Sequence, residues 1–337
     1  MLKINLSLIA FFMAILSSTA TFAADPCLSG NSTCLGSLSF GKLKLPYYRN
    51  FAFNKRNSAI TQAVIVIHGT NRNADDYFAS IADAATKAKK ERETLLISLR
   101  FMTEDDSPGT NQLYWDSNGA WKIGHKSTRD YSKRLSSFAL VDKIIARILK
   151  RNGNFPNLKN IVLTGHSAGG QFTQRYAAGS NITALHSRKN FRFVVANPSS
   201  YMYLNKFRRR GSSMTSFGLP NVSACSDYNK YKYGPVSRNS YMSTTPIEIM
   251  RTRFKNRTVK YLLGDADTSR GGSFDDSCKA DLQGLNRFQR GQIFNNYVDR
   301  YFPNNNHSVL RVRNVNHNNY NMYNSFMGQL ILFVWPN

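Results

Sequence analysis

Apolar positions along this chain fall into two alternating kinds of run. Uninterrupted stretches rich in β-branched residues occupy Ala63 to Ile67 (AVIVI), Thr94 to Leu99 (TLLISL), Ile161 to Thr164 (IVLT) and Phe191 to Ala196 (FRFVVA). Two later strands read as Val259 to Leu263 (VKYLL) and Val309 to Val315 (VLRVRNV). Strands apolar on both faces belong in a parallel sheet that is covered on both sides. Helical patterns lie between them. One covers residues 73–90 with Asn73 placed to cap it, and the next carries Phe138, Val141, Ile144, Ile145, Ile148 and Leu149 at helical spacing. Further helices are expected at Gln171 to Ala178 and at roughly residues 284–301 and 320–333.

Leu43-Lys44-Leu45 and Tyr47 to Phe53 alternate weakly and supply the first strands within a polar N-terminal segment, residues 25–60. Residues 101–135 form a long loop with Trp115, Trp121 and His125, the kind of loop that often contributes to a site. Residues 199–256, rich in Tyr, Ser, Asn and Arg, have little periodicity and read as an irregular insertion after the sixth strand. The alternation predicts an α/β domain over residues 61–337, a mostly parallel, doubly wound sheet with helices on both faces.

The first 24 residues read differently. Lys3 precedes an apolar core, Leu8 to Leu16, and Thr21-Phe22-Ala23-Ala24 offers small residues for cleavage. This is the pattern of an export signal, and its core is too short to span a bilayer. A periplasmic or secreted protein is expected. Four cysteines then suggest disulfides, with three connectivities open. Cys27 and Cys34 are close enough to close a small loop, which would leave Cys225 to pair with Cys278; no spacing resembles a metal site. The net charge of +25 raises a polyanion or anionic surface as a partner. Against that, only Arg208-Arg209-Arg210 is a dense basic run.

The chemistry centres on Gly165-His166-Ser167-Ala168-Gly169, which follows a strand and opens a helix. Such a turn strains the serine backbone and lifts its hydroxyl above the sheet edge. Loops at the carboxyl ends of parallel strands gather on one edge, where ligands bind. That edge receives Ser167, His68-Gly69-Thr70, Gly264-Asp265-Ala266-Asp267 and Asn316-His317. His307 precedes its strand and belongs to the opposite edge, and His125 comes before the serine on the long loop.

With these residues in place, residues 61–335 resemble the α/β-hydrolase superfamily, nearest to secreted bacterial serine esterases and polyester depolymerases. The family order of nucleophile, acid and histidine is matched by Ser167, Asp267 and His317. The resemblance places Asp267 in the Gly-x-x-Asp acid position, with Asp265 and the Asp275-Asp276 pair as alternatives. It also implies an oxyanion hole from the backbone N–H groups of Thr70 and Ala168, and no cofactor or metal. A small or polymeric ester is the implied substrate. An acyltransferase or peptidase using the same residues, or a basic binding protein without catalysis, remains open. Trp115 and Trp121 are equally placed to wall a pocket or to pack the loop.

Overall fold

The computed structural model describes residues 25–128, 134–150, 153–223 and 225–335. Residues 1–24, where the sequence predicts an export signal, lie outside the described residues.

Eight strands form the main sheet: β1 Leu35–Phe40, β2 Leu43–Arg49, β3 Gln62–Ile67, β4 Thr94–Leu99, β5 Asn160–His166, β6 Asn190–Ala196, β7 Thr258–Gly264 and β8 His307–Val312. Their spatial order is β1-β2-β4-β3-β5-β6-β7-β8. β2 runs antiparallel to both neighbours, and every pair from β4 to β8 is parallel.

The continuous apolar runs arise because each strand feeds two cores at once. Ala63, Ile65 and Ile67 face one core with Ile161, Leu163 and Phe172. Val64 and Val66 face the other with Val162, Phe78 and Leu332. Helices α1 (Ala74–Lys87) and α7 (Phe326–Phe333) cover the second face. Helices α2 (Ser137–Ile148), α3 (Ala168–Gly179), α4 (Ile247–Asn256) and α5 (Arg287–Tyr301) cover the first. Burying each such Val, Leu or Ile is worth roughly 1.5–3 kcal/mol against exposure. The sheet interior is thus the stable frame on which the edge loops stand.

Several local expectations shift. Asn73 occupies the cap position of α1, yet its side chain bonds Asp76 Oδ2 at 2.8 Å and makes no cap bond. The helix expected over residues 320–333 is two, α6 (Asn319–Asn324) and α7, broken where Ser325 accepts from Gly328 N at 2.9 Å. The insertion contains α4, and the N-terminal segment contributes two sheet strands. Both tryptophans are fully buried. Trp121 packs against His68 at 4.7 Å and stacks on Phe101 at 5.8 Å, so it is core and not pocket wall.

Disulfides join Cys27 to Cys34, seven residues apart, and Cys225 to Cys278, 53 apart. The second ties the 199–256 segment to the loop after β7. No described helix is long and apolar enough to cross a membrane. In the loop-closure picture these bridges are worth roughly 2 and 4 kcal/mol. Serine replacement of each pair should lower the guanidinium unfolding free energy in that ratio, the Cys225 and Cys278 variant losing more. Equal losses would place the source elsewhere than in chain entropy.

Candidate active site

β5 ends at His166, and Ser167 caps helix α3 with φ +59° and ψ −118°, a left-handed conformation rare outside glycine. The turn is forced by backbone proximity. A Cβ on Gly169 would stand 2.0 Å from the carbonyl oxygen of Ile67, and one on Gly165 would stand 2.3 Å from the backbone of Gly169. Only glycine lets the helix start this close to β3. Ser167 N donates to Ala196 O at 3.0 Å, which stitches the turn to β6 as well. Ser167 is 7% exposed and opens onto a cavity of about 280 Å³ shared with Thr70, His317 and Arg287.

The other edge residues converge on the same cavity. His317 Nδ1 donates to Asp267 Oδ2 at 2.6 Å, and Asp267 is 1% exposed. The opposite oxygen, Oδ1, has no hydrogen-bond partner but lies 3.5 Å from the buried guanidinium of Arg287. Asp265 turns away. It accepts from Arg311 Nε and Asn314 N, each at 2.7 Å, and shapes the β7 turn. Asp275 is no solvated loop charge either. It sits in a network with Ser200, Tyr233, Ser277 and Lys232, away from His317.

The loop after β3 is held from several directions. His68 Nε2 accepts from Phe101 N at 2.9 Å, which leaves Nδ1–H to donate to Gly69 O at 2.8 Å. Burial pushes its pKa down to about 4, so the ring is neutral and this tautomer persists. Tyr77 lies so near Gly69 that a Cβ there would meet the hydroxyl at 2.6 Å. Arg72 Nη1 donates to Thr70 O at 3.2 Å and its Nε to Asp106 Oδ2 at 2.5 Å. The N–H groups of Thr70 and Ala168 have no hydrogen-bond partner among the described residues. They are available to an incoming oxygen.

His166 packs against His317 with ring centroids 4.4 Å apart and planes tilted by 37°, and its Nδ1 meets the Tyr77 hydroxyl at 3.3 Å. Burial, then the charges of His317 and Arg287, hold its pKa well below the ordinary histidine value. It therefore stays neutral beside His317. His166, Asp267 and His317 bring potential metal-ligand atoms within 4.8 Å of one another. Closely packed imidazoles and a 2.6 Å Asp267–His317 bond suit a hydrogen-bonded pair better than a chelate.

No protein-family model matches the chain, and no curated protein sequence matches it. Solved structures do. A poly(aspartic acid) hydrolase from Sphingomonas sp. KT-1 superposes with TM-score 0.61 at 21% identity, covering 89% of this chain and 98% of that one. A poly(3-hydroxybutyrate) depolymerase from Bordetella parapertussis gives TM-score 0.58 at 18% identity, covering 86% and 84%. This is the α/β-hydrolase fold. At these identities the likeness concerns architecture, and the chemistry must be argued from the cavity.

On the α/β-hydrolase fold the remaining histidines fall outside that cavity. His307 begins β8 at the amino edge, bonded to the Tyr261 hydroxyl at 2.8 Å and to Phe254 O at 2.7 Å. His125 is exposed on its loop. Arg287, Tyr77 and Asn319 line the cavity without having been legible in the sequence. Arg287 begins a helix whose strand-edge position nothing in the local pattern announces.

The His68 assignment has a pH consequence. Above pH 6.5 folded and unfolded chains both carry a neutral ring; between 6.5 and about 4 only the unfolded chain takes the proton. Stability therefore falls on acidification across that window, by on the order of 3 kcal/mol from this side chain. Urea unfolding across the same window should show that loss in the wild type. His68→Gln should be weaker at neutral pH but flatter with pH; an unchanged slope would mean His68 is not buried neutral.

Proposed function

We propose that the protein is an exported serine hydrolase that cleaves carboxylic esters through an acyl-enzyme on Ser167. The observation that carries this reading is the 2.6 Å bond from His317 to the buried carboxylate of Asp267, in the cavity onto which Ser167 opens. In this mechanism Ser167 Oγ attacks the acyl carbonyl and His317 Nε2 receives its proton. Asp267 holds Nδ1–H, fixes the tautomer and stabilises the imidazolium as it forms. The N–H groups of Ala168 and Thr70 receive the oxygen as negative charge develops, a role in which one donor is worth about 100- to 1,000-fold in rate. His317 then protonates the leaving alcohol, and water repeats the sequence to free the acid. No step draws on a cofactor.

Ser167 Oγ and His317 are not hydrogen-bonded to one another in the unliganded chain, a common state of such pairs before substrate arrives. The cavity is bordered by Ser269, Ser273, Asn71 and Asn319 rather than by leucine or phenylalanine. That lining favours a short or oxygen-rich acyl part over a long alkyl chain. A structural neighbour named as a poly(3-hydroxybutyrate) depolymerase makes a polymeric ester a fitting substrate. Export is supported by the N-terminal pattern and by the two disulfides.

A fluorophosphonate probe should label Ser167 and nothing else, and Ser167→Ala should hydrolyse no p-nitrophenyl ester from acetate to decanoate. Labelling at another serine would remove the nucleophile assignment. Among the esters, acetate and butyrate should outpace decanoate. Asp267→Asn should lose up to about 10,000-fold in kcat, and it should cost stability as well, because it leaves the buried Arg287 guanidinium without its carboxylate. Asp265→Asn should keep its activity and lose stability; the reverse pattern would move the acid to Asp265.

A further inference from the structure

A second cavity, about 590 Å³, opens at the amino edge of the sheet, below the starts of β6 and β7 and opposite the Ser167 edge. Among the described residues its charged lining is entirely cationic: Lys189, Arg192, Arg253 and Arg257, with no carboxylate. The nearest acid acting on Arg257 is Asp142, which does not line the cavity and accepts from the Tyr176 and Tyr241 hydroxyls at 2.6 and 2.7 Å.

Two of the four cations have different standing. Arg257 is saturated: its guanidinium donates to the carbonyl oxygens of Ala177 and Ser180 and to Thr183 Oγ1. Arg192 is not. It is 6% exposed, and its hydrogen bonds all leave from one nitrogen, Nη1, to Ile331 O at 2.7 Å and Val334 O at 2.9 Å. Its Nε is buried with no partner among the described residues. The guanidinium lies over the Trp335 ring at 4.1 Å, which fixes its plane. With Nη1 anchored and Nε sealed from solvent, Nη2, which makes no hydrogen bond among the described residues, is the guanidinium nitrogen left to an incoming oxygen.

A largely buried cation with a donor nitrogen left over costs stability unless something answers it. The other cations around the cavity, and the ring of Trp335 beside the guanidinium, define what would. We propose that this cavity is a binding site for a small organic oxyanion, a phosphate ester or carboxylate, held by Nη2 of Arg192 with Lys189 and Arg253 around it and its carbon body against Trp335. The site is separate from the Ser167 cavity, and its occupancy does not depend on the hydrolytic reading.

Trp335 supplies a local reporter, because the other two tryptophans, Trp115 and Trp121, are fully buried in the core. The full mature chain is titrated with sodium phosphate, phenyl phosphate and benzoate, each against sodium chloride at matched ionic strength. Tryptophan fluorescence and melting temperature are both followed. The expected result is a saturable fluorescence change and a saturating rise in melting temperature with phenyl phosphate or benzoate, and a weaker one with inorganic phosphate. Whichever of the two organic anions binds more tightly identifies the headgroup. Arg192→Gln should weaken binding by about tenfold or more. Should that variant fail to fold, Lys189→Gln with Arg253→Gln, both on partly exposed side chains, should weaken it likewise, and Trp335→Phe should remove the fluorescence change. An equal response to chloride, or undiminished binding in these variants, overturns the proposal and assigns the effect to general screening of a strongly basic chain.

Discussion

Everything at the catalytic edge depends on how closely one helix can start against two strands. The backbone at Gly165, Gly169 and Gly170 is so tightly packed that added Cβ atoms would meet Gly169, Ile67 and Ala196 at 2.0–2.5 Å. That contact leaves the intervening residue no relaxed conformation, and Ser167 takes φ +59°. Strain of this kind costs about 1–3 kcal/mol and persists only where surrounding structure over-determines it. Here the over-determination is the two-faced burial of β3, β5 and β6, whose side chains are almost wholly removed from water. The same contact fixes the first amide of α3 beside the loop after β3. The positions of Ser167 and of the amides of Thr70 and Ala168 are thus set by one packing event.

A second theme is the disposition of arginine. Arg175, Arg208, Arg287 and Arg290 are at most 2% exposed, and most of their hydrogen bonds go to carbonyl, amide and hydroxyl oxygens rather than to carboxylates. Arg208, the first residue of the dense basic run, is caged by the carbonyl oxygens of Asn205, Phe207, Tyr228 and Tyr233 and lies over the Tyr203 ring. Part of the +25 charge is therefore internal mortar for the 199–256 segment. Aromatic faces and carbonyl cages, with the Cys225–Cys278 bridge, hold together a segment that has little hydrophobic periodicity. A basic run in the sequence is not a basic patch on the surface when its first member points inward.

This also explains what could be read from the sequence and what could not. The central strands were legible because burial on both faces leaves an unbroken apolar run, and β4 begins and ends where that run does. That Ser167, Asp267 and His317 would lie together was legible because strand ends share an edge, so chain position stood in for space. Strand β1 was not, since LGSLSF has one buried residue in six. Helix α4 was hidden because only Met250 and Phe254 of its ten residues are buried. The tryptophans were ambiguous for another reason: loop residues packed inward and loop residues lining a pocket have the same composition. Arg287, Tyr77 and the spare Nη2 of Arg192 depend on side chains brought together across long separations, and no local pattern encodes them.

The two aspartates after β7 show how much two residues of chain can change. Asp265 stays at the surface, spent on Arg311 and on the amide of Asn314, and it keeps the turn in shape. Asp267 is carried inward until both its oxygens face positive or polarisable groups, His317 on one side and Arg287 on the other. Arg287 is itself steadied by Ser199 Oγ at 3.0 Å and by the Phe274 ring 5.0 Å away. The imidazole is therefore the last member of a chain that runs from Phe274 through Arg287 and Asp267. A carboxylate buried between a fixed cation and a histidine cannot rotate without leaving the cation unanswered. The orientation of His317 is consequently set from behind, by Asp267 and the cation on its far side.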